Sequence, residues 1–532
     1  MIVEKPQTET ETQLVARPGF ARSAALLSVG NVASRILSLV REMVIARTFD
    51  VKLVGVFTVA SQVPTLLYDL LIGGMLSAAL VPVLSAYTQQ DRREFIRLVN
   101  LLLTLFAALL ALLVLLLLWT APTVTWLLAG GFDTTDPQLL ALTTTLVRLI
   151  TPAIWLFGMA GVLTAILYAL QRFTWPALAA ALYNLGIVLA APLLAQRLGI
   201  HSLIVGILIG SGLQCLLMGW DLRQAGLPFR PNFDWRHPAL RKILALYLPI
   251  AAGLVITLFQ VGLDRRLASG ISAESIAWMR YATTLQQLPL GLISVAISLA
   301  ALPRLSQYFA AQQEEEYRQT LGRGLRVVLL LMAPAAVGLW LLAAPVTRII
   351  FQHGQSSLRD TEQIVRALHI YLIGMLFAAI DFPLNYAFYA RNNTLLPAIV
   401  GVISVGVYVV TAFTTLSSWG YLGLVWADTA KQASHALIMI GLLHWQVGSL
   451  STQMGRGLFS ISIGAAGMAL TIFMLIQVVG TSVAPTLWTD LISVIGVGGA
   501  GVAVYLLILW CLPVAEMRHL WTTVHRRWGG SG

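Results

Sequence analysis

The chain has 532 residues, 58% of them hydrophobic and only 11% charged, with a mean hydropathy of +0.81. Thirty-four basic and 23 acidic residues cannot coat a soluble protein of this size, where about 25% charge is usual. A soluble globule, a disordered chain and a disulfide-rich secreted scaffold are excluded, which leaves a polytopic helical membrane protein. The formal charge of +11 has a ready source in basic cytoplasmic loops, and no basic stretch interleaved with aromatics points to nucleic acid. Cys215 and Cys511 both sit in apolar runs, without CxxC or Cys/His spacing, so neither a metal site nor a disulfide framework is expected.

Residues 1–22 are polar and lack the apolar core of a signal peptide, so they are expected to be a cytoplasmic tail. Apolar stretches long enough to span then follow at 23–49, 54–87, 95–119, 139–170, 175–197, 201–220, 240–267, 275–303, 325–351, 364–390, 395–416, 420–446, 456–479 and 487–512. The segment 122–132, PTVTWLLAGGF, is too short to span and is expected to lie at the interface. Arg92, Arg93 and Arg97 follow the second span, Arg172 the fourth, Arg223, Arg230, Arg236, Arg241 and Lys242 the sixth, and Arg304, Arg318, Arg323 and Arg326 the eighth. The intervening loops carry few basic residues, such as Lys52 and Arg197. Alternation of this kind puts both termini in the cytoplasm.

The longest polar connection in mid-chain falls at 221–239 and divides the chain into a lobe at 23–220 and a lobe at 240–446. A further helix pair at 447–512 and a basic cytoplasmic tail at 513–532 follow. The second span of each half has the same character: VPTLLYDLLIGGMLSAALVP (63–82) and QLPLGLISVAISLAALP (287–303). The fold class expected is therefore all-α and polytopic, with about fourteen transmembrane helices in two pseudo-symmetric six-helix lobes plus a C-terminal pair.

Charges within spans cost about 2.5–3.5 kcal/mol each on insertion scales and ask for a reason. The first span holds Arg35, Arg41 and Glu42, and the second Asp69. Others are Arg148, Asp264, Arg265, Arg266, Arg280, Asp381, Asp428, Lys431 and His435. Arg35 and Arg41 lie about 120° apart around a helix and roughly 9 Å along it. These groups suit a hydrated cationic cavity for an anionic substrate, since guanidinium binds phosphate oxygens bidentately and stays charged. Against this, Arg148, Arg265 and Arg266 lie near span ends where they can snorkel, Asp428 and Lys431 can neutralise each other, and His435 reads as an ordinary satisfied histidine. Pro64, Gly73, Gly74, Pro289 and Gly291 soften their helices and are candidate hinges for alternating access. No GxSxG, HExxH or GxxxxGK[ST] motif occurs, so the chain is not expected to be an enzyme.

The segment VASRILSLVREMVIARTF (32–49) resembles the opening signature of the MurJ/MviN family within the MOP flippase superfamily. The resemblance continues collinearly through 63–87, 146–184, LDRRLASG (263–270), 285–306, 348–368 and 385–397, while the last four spans match only in hydropathy. It implies a lipid II flippase of the bacterial inner membrane, moving a polyprenyl-diphosphate-linked saccharide to the outer leaflet. It also implies a central cationic cavity and a lipid-tail groove on the C-terminal pair. The family's first-span arginines and following acidic residue fall on Arg35, Arg41 and Glu42. Its second-span arginines fall on Tyr68 and Asp69, and its eighth-span arginine on Thr284, with Arg280 one turn earlier. Asp264 matches an aspartate associated with cation binding, and Thr429 is its expected partner.

On these departures, Asp69 either repels a phosphate or pairs with Arg41. The chain is then a flippase with a rearranged anion site or a member that has lost transport. Two other classes remain open: a cation-coupled exporter of drugs or amphiphiles of the MOP type, and a non-transporting scaffold for envelope synthesis. No cofactor is expected beyond Na+ or H+ as coupling ion. The expected partners are the lipid-linked glycan, the bilayer and cell-wall synthesis enzymes, with the chain itself a monomer.

Overall fold

A computed structural model describes residues 18–73, 79–88, 91–448, 453–480 and 486–512. The described residues are helical, with no strand among them. Two compact units emerge, dividing within a helix at Gly262, and residues 50–55 group with the second.

The first unit takes α1 (Pro18–Thr48), most of α2 (Val51–Tyr68) with the π-helical turn Asp69–Gly73, and α3 (Val81–Thr88). It continues through α4 (Arg92–Ala129), α5 (Phe132–Thr135), α6 (Pro137–Ile150), α7 (Pro152–Ala169), α8 (Thr174–Leu198) and α9 (His201–Gln224) into α10 (Pro238–Ser269). The second unit takes the end of α10, α11 (Ala273–Pro289), a π turn at Leu290–Ser294, α12 (Val295–Ala310), α13 (Glu314–Leu341) and α14 (Ala343–Phe351). It closes with α15 (Leu358–Ala390), α16 (Leu395–Trp419), α17 (Tyr421–Val447), α18 (Gln453–Gly480), α19 (Leu487–Leu491), a π turn at Ile492–Val497, and α20 (Gly498–Cys511).

Among the described residues, 11 helices are long and apolar enough to cross a membrane, or 12 if α10, bent by 53° between Leu248 and Gly253, counts as one span. The difference from the expected fourteen falls on α1 and α17. Both are long, at 31 and 27 residues, but α1 carries Arg35, Arg41 and Glu42 and α17 carries Asp428 and Lys431. The segment 122–132, expected as a short interfacial piece, is joined to α4. Helix α4 runs unbroken through Pro122 to Ala129, giving 38 residues. In lipid, continuing a helix past one missing donor costs less than leaving a whole segment of backbone unpaired. The expected tails fall outside the described residues, apart from 18–22, which open α1.

Local chemistry sets the helix ends. Asp91 caps α4 through Arg93 N at 2.8 Å, and Asp136 caps α6 through Gln138 N at 3.2 Å with Pro137 at the first position. Ser357 and Asp360 form a reciprocal box on α15. The two halves repeat their turns. Gly199 (φ +53°) separates α8 from α9 and Gly420 (φ +56°) separates α16 from α17, in a conformation that excludes a side chain. Gln171 after α7 and Asn392 after α15 share φ values of 58° and 57°.

The expected inter-lobe loop is laid along α4. Arg230 N donates to Asn100 Oδ1 at 2.9 Å, Asn232 N to Thr104 Oγ1 at 3.1 Å, and Asp234 pairs with Arg97 at 2.8 Å.

Candidate functional site

Helix packing brings the first-span charges to their partners. At Gly30 of α1 a Cβ would collide with the carbonyl of Ala177 on α8, so the two backbones are as close as helices come. From that contact α1 and α8 run on together to Arg41 and Asn184. Arg41 Nη1 donates to Asn184 Oδ1 at 2.8 Å, Nη2 to Glu42 Oε1 at 2.6 Å, and Nη2 to Ser38 Oγ at 3.4 Å. Asn184 is itself oriented, donating to the carbonyls of Ala180 at 2.9 Å and Ser34 at 3.3 Å. The Glu42 side chain is 1% exposed and the Arg41 side chain 18%. The carboxylate is thus sunk as a counter-ion while the Arg41 side chain stays partly exposed. Arg35, on the same helix, has a buried Nε with no hydrogen-bond partner.

Tyr68 joins this constellation through two rings that the sequence did not single out. Tyr68 lies edge-on to Phe157 at 6.3 Å, Phe157 edge-on to Tyr183 at 5.4 Å, and the Arg41 guanidinium sits 6.0 Å from the Tyr183 ring. All three rings are half-buried. Asp69 opens the π turn, is exposed, and does not pair with Arg41, whose described bonds go to Glu42, Asn184 and Ser38. Adjacency explains this: Glu42 reaches Arg41 within the same helix.

In the second unit, Thr284 does not offer a free hydroxyl. It donates to the Arg280 carbonyl at 2.9 Å, as does Thr283. The Arg280 side chain is half-buried one turn away. Asp264 accepts from Tyr408 Oη at 2.7 Å and stands 3.4 Å from Arg265. Thr429, expected beside Asp264, instead donates to Ile370 O at 3.0 Å and packs against Gly374. Asp428 pairs with Lys431 at 2.7 Å, the neutralisation their spacing suggested. Among the described residues no group of three His, Cys, Asp or Glu side chains is disposed to hold a metal ion.

The residues expected as hinges take different places. Pro64 is buried inside regular α2, and the wide turn begins five residues later, ending at Gly73. Gly74 lies outside the described residues. Pro289 ends α11 and Gly291 sits in the following π turn, which Ser294 pins to α15 by donating to Ala379 O at 2.6 Å. A π turn holds one residue more than an α turn and is a common mark of functional helices.

The C-terminal pair carries a cavity of about 570 Å³ whose third wall is α13. Leu330, Pro334, Met468, Gly498 and Val502 line it, together with Tyr505, whose hydroxyl donates to Leu330 O at 2.7 Å. Arg348 of α14 holds the start of α19 through Asp490, at 2.9 Å from Nε to Oδ2.

The family model described as lipid II flippase MurJ matches residues 45–497. The chain belongs to the lipid II flippase MurJ family. Arg41 and Glu42 lie just ahead of the matched MurJ range, while Asn184, Tyr183, Phe157 and Tyr68 fall within it. A MurJ from Burkholderia cenocepacia is 29% identical over 411 residues, covering 75% of this chain and 78% of that protein. A probable MurJ from Vibrio cholerae is 28% identical over 505 residues, covering 93% and 96%. The solved structure of a lipid II flippase MurJ in an inward closed conformation superposes with a TM-score of 0.76 at 23% identity, over 91% of this chain and 98% of that one. At 12% identity the fold extends to a multidrug resistance MATE transporter of the MOP superfamily, with a TM-score of 0.66 over 78% and 95%. This MurJ relative therefore shares its fold with a multidrug resistance transporter.

Sequence reasoning missed Asn184, Tyr183 and Phe157. The one available signal was Asn184, a lone amide at the middle of an apolar span, where burial demands partners.

Proposed function

We propose that this chain is a lipid II flippase, carrying a polyprenyl-diphosphate-linked saccharide from the inner to the outer leaflet by alternating access. The observation that carries this reading is the Arg41 arrangement: a guanidinium fixed from two sides by Asn184 and Glu42, on a side chain that stays 18% exposed. Fixed planar donors of this kind suit the oxygens of a diphosphate. Arg35, with its unpaired buried Nε, supplies a second donor on the same helix, and Arg280 is the basic group of the second unit given the same task. The apolar cavity between α13, α18 and α20 takes part of the lipid tail.

The protein works as a monomer in the plasma membrane with both termini in the cytoplasm. It carries out transport rather than chemistry on its substrate and receives that substrate from cell-wall synthesis enzymes. Proteoliposomes loaded with lipid II test the reading. Wild type exposes the lipid to an external probe and Arg41→Ala does not. Undiminished flipping by Arg41→Ala overturns the assigned role.

A further inference from the structure

Asp381 of α15 and His435 of α17 are 2.7 Å apart, between Oδ1 and Nδ1. Asn385, one turn along α15, donates to the other carboxylate oxygen at 2.8 Å and to the Asp381 carbonyl at 2.9 Å. The side chains of Asp381 and His435 are only 15% and 14% exposed. His435 lies one residue past the midpoint of α17, and Asp381 lies nine residues, more than two turns, inside the end of α15. A carboxylate inside an apolar helix bundle is costly even when paired, and residues of this kind mark ion and proton pathways.

We propose that Asp381 and His435 form a proton-binding site, separate from Asp264, whose occupancy acts on the π turn at Leu290–Ser294. The proposal rests on the reading of the chain as a flippase and names its coupling ion. With neutral imidazole, Nδ1–H donates to the carboxylate and the pair carries one negative charge. A proton taken up on Nε2 gives an imidazolium–carboxylate pair with no net charge. Unperturbed imidazole is the side chain that makes this change near neutral pH. The route to movement is short. Asp381 is two residues from Ala379, whose carbonyl accepts from Ser294 at 2.6 Å, and Ser294 is the last residue of the π turn.

The surrounding ionisable groups are mostly committed. On α17, Lys431 is bonded to Asp428, and on α16, Tyr408 is bonded to Asp264. On α13, Tyr317 donates to Ala387 O at 2.7 Å, and Glu314 pairs with Arg391. Tyr389 of α15 stacks edge-on with Tyr386 at 5.8 Å. Arg304 and Tyr308 on α12, Arg280 on α11, and Arg318, Arg323 and Arg326 on α13 are further ionisable groups on helices packed against α15.

The test compares the flipping rate of full-length protein in proteoliposomes with and without a pH gradient, at a membrane potential clamped to zero. Wild type is expected to be accelerated by the gradient, and Asp381→Asn and His435→Gln to lose that acceleration. A wild type indifferent to pH, a wild type driven by a sodium gradient at constant pH, or variants that keep the acceleration would each overturn the proposal. A second measurement is independent of transport. Infrared pH titration in nanodiscs is expected to show one imidazole that vanishes in His435→Gln and is displaced in Asp381→Asn. An unchanged titration in both variants overturns proton binding here. If nothing flips, wild type included, yet this titration is seen, the flippase reading fails and the proton site stands.

Discussion

Asn184 on α8 takes a hydrogen bond from Arg41 on α1 at 2.8 Å, across 143 residues of sequence, and so fixes the direction of a charge that Glu42 only neutralises. Replacing Asn184 by Ala removes a charge-assisted hydrogen bond worth about 1.5–3 kcal/mol. Flipping by Asn184→Ala is expected to fall by about tenfold or more, while Asn184→Gln, with the same amide on a longer stem, recovers part of it. Initial rates in proteoliposomes decide this.

Stability and transport should separate at the Arg41–Glu42 pair. Arg41→Ala leaves a carboxylate that is 1% exposed without its closest counter-charge. Breaking such a pair from one side costs about 3 kcal/mol, toward the lower end here because Arg41 retains some exposure. The double variant Arg41→Ala/Glu42→Ala is expected to regain much of the lost thermal stability in detergent while remaining inactive. Recovery of flipping in the double variant would show that Arg41 serves only Glu42.

The cavity of the C-terminal pair can be filled without strain at one glycine and not at another. A Cβ on Gly499 meets nothing within 4 Å, whereas one on Gly501 would lie 2.6 Å from Ile472 Cγ1. Gly499→Leu is expected to keep or slightly raise the melting temperature, since Leu is better than Gly in a helix by up to about 1 kcal/mol. The same variant is expected to bind lipid II more weakly. Gly501→Leu is expected to lower the melting temperature. Thermal melts and a lipid-binding titration read both.

Asp490→Asn tests how firmly α19 is held. Asp490 is 5% exposed and bonded by both Nε and Nη2 of Arg348. The variant keeps the shape but loses the charge, leaving Arg348 without its counter-ion at a cost of about 3 kcal/mol. Faster amide exchange is expected in 486–497, with slower flipping as a consequence.

Asn100→Ala is expected to free the loop that crosses α4. It strips the acceptor from Arg230 N and leaves Asn232 held by Thr104 and Arg97, at a cost of about 1 kcal/mol. Limited trypsin digestion should cut at Arg236 faster than in wild type.

The helices, the location of the in-span charges and the neutralising spacing of Asp428 and Lys431 were legible because they are local properties of composition and period. Pairings across the sequence were not. Asn184 with Arg41, Tyr408 with Asp264, and His435 with Asp381 depend on which helices become neighbours, which hydropathy does not encode. The π turns of these two spans were half legible. Proline and glycine marked the right spans, but the widened turn of α2 begins at Asp69, five residues beyond Pro64, where the helix absorbs an extra residue. The continuation of α4 past Pro122 was missed because proline breaks helices in water, where free backbone groups find solvent, far more readily than in lipid.

The direct contact between Arg41 and Glu42 has a consequence for how the protein is made. Helix α1 leaves the ribosome ahead of α8, and Asn184 follows Arg41 143 residues later. Until then the arginine faces the bilayer with whatever counter-charge its own helix supplies. Glu42 is that charge, one position away, so the nascent segment reaches the translocon already neutralised at its most expensive point. Exchanging Glu42 for an apolar residue would therefore strike during biogenesis, as retained or degraded chain, before any defect in the finished transporter could be seen.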